Sequence, residues 1–123
     1  MTRDIQRLAT LLISAILTVL GLVGFFSGTQ LFGLGSDALH NSLYLLAGII
    51  GLAADWQDRS NTYNRAAGAF FLLVAVLGFV AAGLGGTTLE VTSADNVFHL
   101  VLGAVLAAIG FAPKTLGRWR TTA

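Results

Sequence analysis

The chain predicts an all-α integral membrane protein, a four-helix bundle with both termini cytoplasmic. Three observations carry this expectation. Four apolar stretches, at about 8–26, 37–54, 65–85 and 94–112, approach the roughly 20 residues a helix needs to cross the hydrocarbon. Charged residues make up 11% of the 123 and apolar residues 55%, where ordinary soluble domains carry about 25% charged. All seven Lys and Arg residues fall on one side of the implied membrane. Arg3 and Arg7 precede the first stretch, Arg59 and Arg65 lie between the second and third, and Lys114, Arg118 and Arg120 follow the fourth. Insertion retains such cations on the cytoplasmic side, so the asymmetry predicts topology as well as class.

The elements follow in order. The first span, 8–26, is too long for a usual signal-peptide core, and no A-x-A cleavage site follows it. Its external loop, 27–36, holds three glycines. The second span, 37–54, is short and opens on polar residues. The cytoplasmic loop, 55–64, is the most polar segment, with Asp55, Asp58, Arg59, Asn61 and Asn64. The third span, 65–85, has no charged or amide side chain beyond Arg65, whereas a buried helix of a soluble protein shows a polar stripe. The last external loop, 86–93, carries Glu90 alone as charge. The fourth span, 94–112, stops at Pro113. In the tail, Lys114, Arg118, Trp119 and Arg120 form an anchor pattern, with indole at headgroup depth and cations among lipid phosphates.

Four spans nearly exhaust the chain, which reads as one transmembrane domain, 1–123, with no room for a soluble catalytic domain. The net charge of +1 gives no nucleic-acid footprint. The absence of cysteine excludes disulfides, thiolate metal sites and thiol nucleophiles.

The chain also repeats itself. Asn41-Ser42-Leu43-Tyr44-Leu45-Leu46-Ala47-Gly48 and Asn96-Val97-Phe98-His99-Leu100-Val101-Leu102-Gly103 share the pattern Asn-x-apolar-aromatic-Leu-x-x-Gly. The first and third spans match more loosely around Leu20-Gly21 and Leu77-Gly78. A duplicated helical hairpin explains this. Both copies enter and leave on the cytoplasmic side, so they are parallel repeats about a pseudo-twofold axis along the membrane normal.

Intramembrane polarity concentrates in the outer turns of spans two and four: Asp37, His40, Asn41 and Tyr44, with Asp95, Asn96 and His99. Asp37 to Asn41, His40 to Tyr44 and Asp95 to His99 are each i,i+4 and share a face. A structural reading makes these residues helix caps and interhelical hydrogen bonds. The rival reading is a ligand site, in which His40, His99 or both hold a haem or a chlorophyll-type chlorin as axial ligands. Gly48 and Gly103, one turn deeper, would then leave room for a flat ring. No tight metal motif is present, so no metal is expected. Gly24 and Gly28 form a G-x-x-x-G, and Gly78/Ala82, Ala47/Gly51 and Gly103/Ala107 are small-xxx-small pairs suited to close helix packing.

The repeated Asn-x-[Leu/Phe]-[Tyr/His]-Leu-x-x-Gly signature, with His40 one turn before Tyr44, resembles a bacterial family of small four-helix membrane proteins catalogued as domain of unknown function 4383. The resemblance runs from the first span to Phe111. It implies the fold and a place in the bacterial cytoplasmic membrane, and no activity. In that family a His often stands where this chain has Tyr44, which disfavours schemes that need matched histidines in both repeats.

The expected function is therefore a non-enzymatic accessory or structural subunit of a larger membrane complex. Small size and the lack of a mid-membrane charge or catalytic constellation point that way. Its partners are the lipid bilayer and other membrane subunits. No cofactor is expected, and haem or chlorin ligation stands as the alternative.

Overall fold

The computed structural model describes residues 2–26, 30–31, 34–35, 38–83 and 93–112. Four helices, α1 (Thr2–Gly24), α2 (Ala38–Trp56), α3 (Ser60–Gly83) and α4 (Ser93–Gly110), carry the fold. Between α1 and α2 a two-residue ladder pairs β1 (Gln30–Leu31) with β2 (Leu34–Gly35), antiparallel, within the segment expected to be plain loop. Lengths of 18 to 24 residues give rods of about 27–36 Å at 1.5 Å per residue, close to the ~30 Å of hydrocarbon they must cross. All four are apolar enough to span a membrane. The chain is a multi-pass membrane protein.

The connection between α2 and α3, the inner one under the topology that the Lys and Arg distribution predicts, departs from the sequence expectation. Helix α2 continues to Trp56 and α3 begins at Ser60, so three residues, rather than 55–64, join them. The turn is closed by a Schellman motif. The Arg59 amide donates to the Ala54 carbonyl at 2.7 Å, and the Asp58 amide to that of Asp55 at 3.0 Å. Asp58 takes the left-handed conformation this motif requires, at φ 62°. Asp tolerates that region better than most residues. The Arg59 carbonyl then accepts the Tyr63 amide at 3.0 Å and opens α3.

Helix α1 packs most heavily on α2, and α3 on α4, giving two helical hairpins, with lighter contact between them. The hairpins lie parallel. Gln6 and Thr10 of α1 meet Asn64 of α3 at one end, and Tyr44 of α2 meets His99 of α4 toward the other. Within each hairpin, glycine permits the approach. A Cβ on Gly21 would lie 2.7 Å from the Leu45 amide nitrogen, and one on Gly103 2.6 Å from that of Leu72. Gly48 lies against Ser14 and Thr18, and Gly78 against the Asn96 side chain.

The faces are sorted inside out relative to a soluble bundle. On α1 the buried positions are Gln6, Ala9, Thr10, Ser14, Leu17, Gly21 and Gly24, while Leu8, Leu12, Ile16, Val19 and Leu22 face outward. In lipid this ordering is favourable. Bulky apolar groups lose nothing by facing hydrocarbon, and polar or small groups gain by meeting each other. One apolar core joins all four helices through Leu17, Tyr44, Phe71, Leu102 and Leu106.

Candidate functional site

Buried polar side chains gather in two layers, named outer and inner after the topology that the Lys and Arg distribution predicts. The outer layer bridges α2 and α4, whose backbones barely touch and which meet through long side chains. His40 Nε2 lies 3.7 Å from Asp95 Oδ2, and both residues are buried. One turn deeper, the Tyr44 hydroxyl and His99 Nε2 share a hydrogen bond of 3.0 Å. Phe71 of α3 stacks on the His99 ring, with centroids 5.7 Å apart and planes 25° apart. Phe98 meets Tyr44 edge-on at 5.8 Å. Asn41 and Asn96 are buried at corresponding positions, Asn41 beside Gly21 and Asn96 beside Gly78.

This layer brings together His40, Asn41, Tyr44, Asp95, Asn96 and His99 of the residues singled out by sequence. Asp37, Gly28, Lys114, Arg118, Trp119 and Arg120 lie outside the described residues. Three buried side-chain atoms have no hydrogen-bonding partner among the described residues: Asn96 Oδ1 and His99 Nδ1 in this layer, and Ser14 Oγ of α1. Gly24 is buried at the outer end of α1. Gly48 and Gly103 do not open a slot beside the histidines, because each is filled by the neighbouring helix of its own hairpin. Among the described residues no group of three His, Asp or Glu side chains converges as a metal site.

The inner layer was not singled out by sequence, and it is the more extensive. Asn64 of α3 is its hub, fully buried. Its amide donates to the Gln6 carbonyl at 3.0 Å and to Gln6 Oε1 at 2.7 Å, and its Oδ1 accepts from Thr10 Oγ1 at 2.7 Å. Gln6 Nε2 continues to the Ile109 carbonyl at 2.6 Å. Asn61 Nδ2 and Arg65 Nε both donate to the Gly110 carbonyl, at 2.9 and 2.7 Å. The last carbonyls of α4, which a helix leaves unpaired, are thus capped from α1 and α3. Arg65 also lies over the Phe111 ring at 5.2 Å.

A charged pair closes the same end. Arg7 donates to Asp55 through Nε at 3.0 Å and Nη2 at 3.3 Å, and Ser60 Oγ donates to Asp55 Oδ1 at 2.9 Å. Arg7 is half exposed and Asp55 buried, so the carboxylate is the member that depends on its partners. A signal for this layer existed. Gln6, Thr10, Ser14 and Thr18 recur every four residues along α1, and Ser60 and Asn64 do so on α3.

Chemically, both layers can fasten helix to helix. Their polar groups point at one another inside the bundle, and the His99 ring is walled by Tyr44, Phe71 and Phe98. A family model described as "Domain of unknown function (DUF4383)" matches residues 7–112, and the chain belongs to that family. No curated protein and no solved structure matches it.

Proposed function

We propose that this member of the DUF4383 family is a non-enzymatic accessory or structural subunit of a larger assembly in a bacterial cytoplasmic membrane. One observation carries the reading. The described buried polar groups are largely engaged in holding helices to each other, while the outward faces of all four helices are bulky and apolar. Such a surface suits docking to other membrane helices. The test is the mass of the full chain extracted from its native membrane in a mild detergent. Co-migration with a larger complex is expected. Migration at monomer mass in every mild detergent would overturn the proposal.

Both termini are assigned to the cytoplasm, on the seven-to-zero distribution of Lys and Arg. Gln57→Cys in the inner turn should resist an impermeant thiol label in intact cells, and Thr88→Cys should react. The reverse pattern would refute the orientation.

We also read the two hairpins as copies of one ancestral hairpin. Tyr44 and His99 stand 55 residues apart and touch each other. Gly48 and Gly103 each meet the first helix of their own hairpin, and Asn41 and Asn96 each lie against a glycine of that helix.

Axial ligation of a haem or chlorin remains the second reading, because His99 Nδ1 is buried and unpartnered among the described residues. Against it, Nε2 is engaged by Tyr44 and Phe71 covers a ring face. A Soret-type band in purified protein, lost in His99→Ala, would establish the second reading and displace the first.

A further inference from the structure

We propose that the lateral groove between α2 and α3 holds one acyl chain of an anionic phospholipid, with the lipid phosphate at Arg59. The groove arises from residue size. Facing stretches of α2 and α3 meet through Ala47, Ala66 and Ala67, which leave a hollow of about 350 Å³ between ridges formed by Leu43, Ile50 and Phe70. Its lining is almost wholly apolar. Its floor is fixed where the Tyr63 hydroxyl donates to the Ala47 carbonyl at 2.7 Å, so the hollow is not a space the two helices close by sliding together.

Position and charge select the occupant. The lining runs from residue 63 to 71 on α3 and from 50 to 43 on α2, which is about 10–12 Å of helix at 1.5 Å per residue. That covers most of one leaflet's share, ~15 Å, of a 30 Å hydrocarbon core. It begins one turn from the 57–59 connection and ends near mid-depth. The groove therefore faces a single leaflet, the one bordering that connection.

Arg59 stands immediately before α3, four residues ahead of Tyr63 at the near end of the lining. Arg59 is exposed. Its side chain makes no hydrogen bond or ion pair among the described residues, unlike Arg7 and Arg65. Trp56, 91% exposed beside it, marks headgroup depth, where indoles settle. An apolar slot ending at a cation, at interfacial depth, matches a chain ending at a phosphate. A second protein helix would match the slot but not the cation.

The experiment is native mass spectrometry of the full chain in mild detergent, with phosphatidylglycerol or phosphatidylcholine added. One retained lipid per chain is expected, with phosphatidylglycerol preferred about fivefold, the equivalent of ~1 kcal/mol for one cation at an anionic headgroup. Ala66→Phe, which fills the slot, should abolish retention. Ala104→Phe, on an exposed face of α4 away from the groove, should leave it intact. Arg59→Gln should keep the lipid and lose the preference. If Ala66→Phe loses its helical circular dichroism, Ala67→Leu replaces it as the filling variant. No retention by the parent chain, equal retention by the filled variant, or an unchanged preference in Arg59→Gln would each overturn the proposal. A dimer that only Ala66→Phe dissociates would overturn it too, by naming a second copy as the occupant.

Discussion

Replacing Asn64 with alanine puts the inner polar layer to its sharpest test. As a residue of a polar loop, Asn64 would be expendable, and its loss would stay within about 0.5 kcal/mol. As the hub between α1 and α3, it holds three side-chain hydrogen bonds, to Thr10, to the Gln6 carbonyl and to Gln6 Oε1. Interhelical bonds inside membrane proteins average about 0.6 kcal/mol and reach ~1.7, so three of them amount to roughly 2 kcal/mol. The Thr10 hydroxyl keeps a second acceptor, the Ser60 carbonyl at 3.3 Å, whereas Gln6 Oε1 is left with no donor that the described geometry supplies. One such stranded buried group adds about 1 kcal/mol at the low end of its range. Asn64→Ala should therefore destabilise the bundle by about 3 kcal/mol. Thr10→Val, which removes the bonds to Asn64 and to the Ser60 carbonyl and leaves Asn64 Oδ1 without its donor, should cost about 2 kcal/mol. The assay is reversible unfolding in mixed micelles of increasing denaturing-detergent fraction, followed by far-ultraviolet circular dichroism. A loss below about 0.5 kcal/mol for Asn64→Ala would refute the argument that this layer fastens the two hairpins.

Three further outcomes are expected. His99→Ala should lower stability by about 1–3 kcal/mol in the same unfolding assay, since it removes the hydrogen bond to Tyr44 and the ring on which Phe71 stacks; no change would place His99 outside the fastening network. Gly103→Leu should prevent closure of the α3–α4 hairpin, because even a Cβ there meets the backbone of Leu72. Ala104→Leu, one residue on and exposed, should stay within about 0.5 kcal/mol, and similar yields of monodisperse protein from both would contradict the packing described. At Asp58, held at φ 62°, a valine should be less stable than a glycine by about 1–2 kcal/mol, and equal melting of the two variants would remove the left-handed turn from the account.

What could be read from sequence divides along a physical line. Apolar length and cation placement are bulk properties of a segment, so the four helices are legible, and their ends fall within a few residues of the expected spans except at the α2–α3 turn and at the start of α1, which begins at Thr2 rather than near residue 8. At the α2–α3 turn the run Asp55 to Asn64 reads as loop because it is polar. Composition does not distinguish a polar residue facing water from one facing a neighbouring helix. The Schellman turn also lacked its usual glycine, with Asp58 in its place. The outer layer was found because His, Asn and Asp stand out against apolar surroundings. The inner layer was overlooked because Gln6, Thr10 and Ser14 look unremarkable one at a time, and their four-residue spacing matters only once α3 supplies Asn64 opposite. Pairings such as Tyr44 with His99 depend on which helices become neighbours, and a single helix's sequence does not state that.

The capping of α4 has a bearing on how the chain is made. The side chains that receive its last carbonyls, Gln6, Asn61 and Arg65, are all synthesised before α4 itself. When the final helix leaves the ribosome, the side chains that cap it have already been made, and water or lipid headgroups serve them until it arrives. The last turn of α4 thus acts as a latch that only a complete chain closes. A product ending before Ser93 would lack α4, and the Gln6 and Asn61 amides and the Arg65 guanidinium that cap that helix in the folded chain would be left exposed.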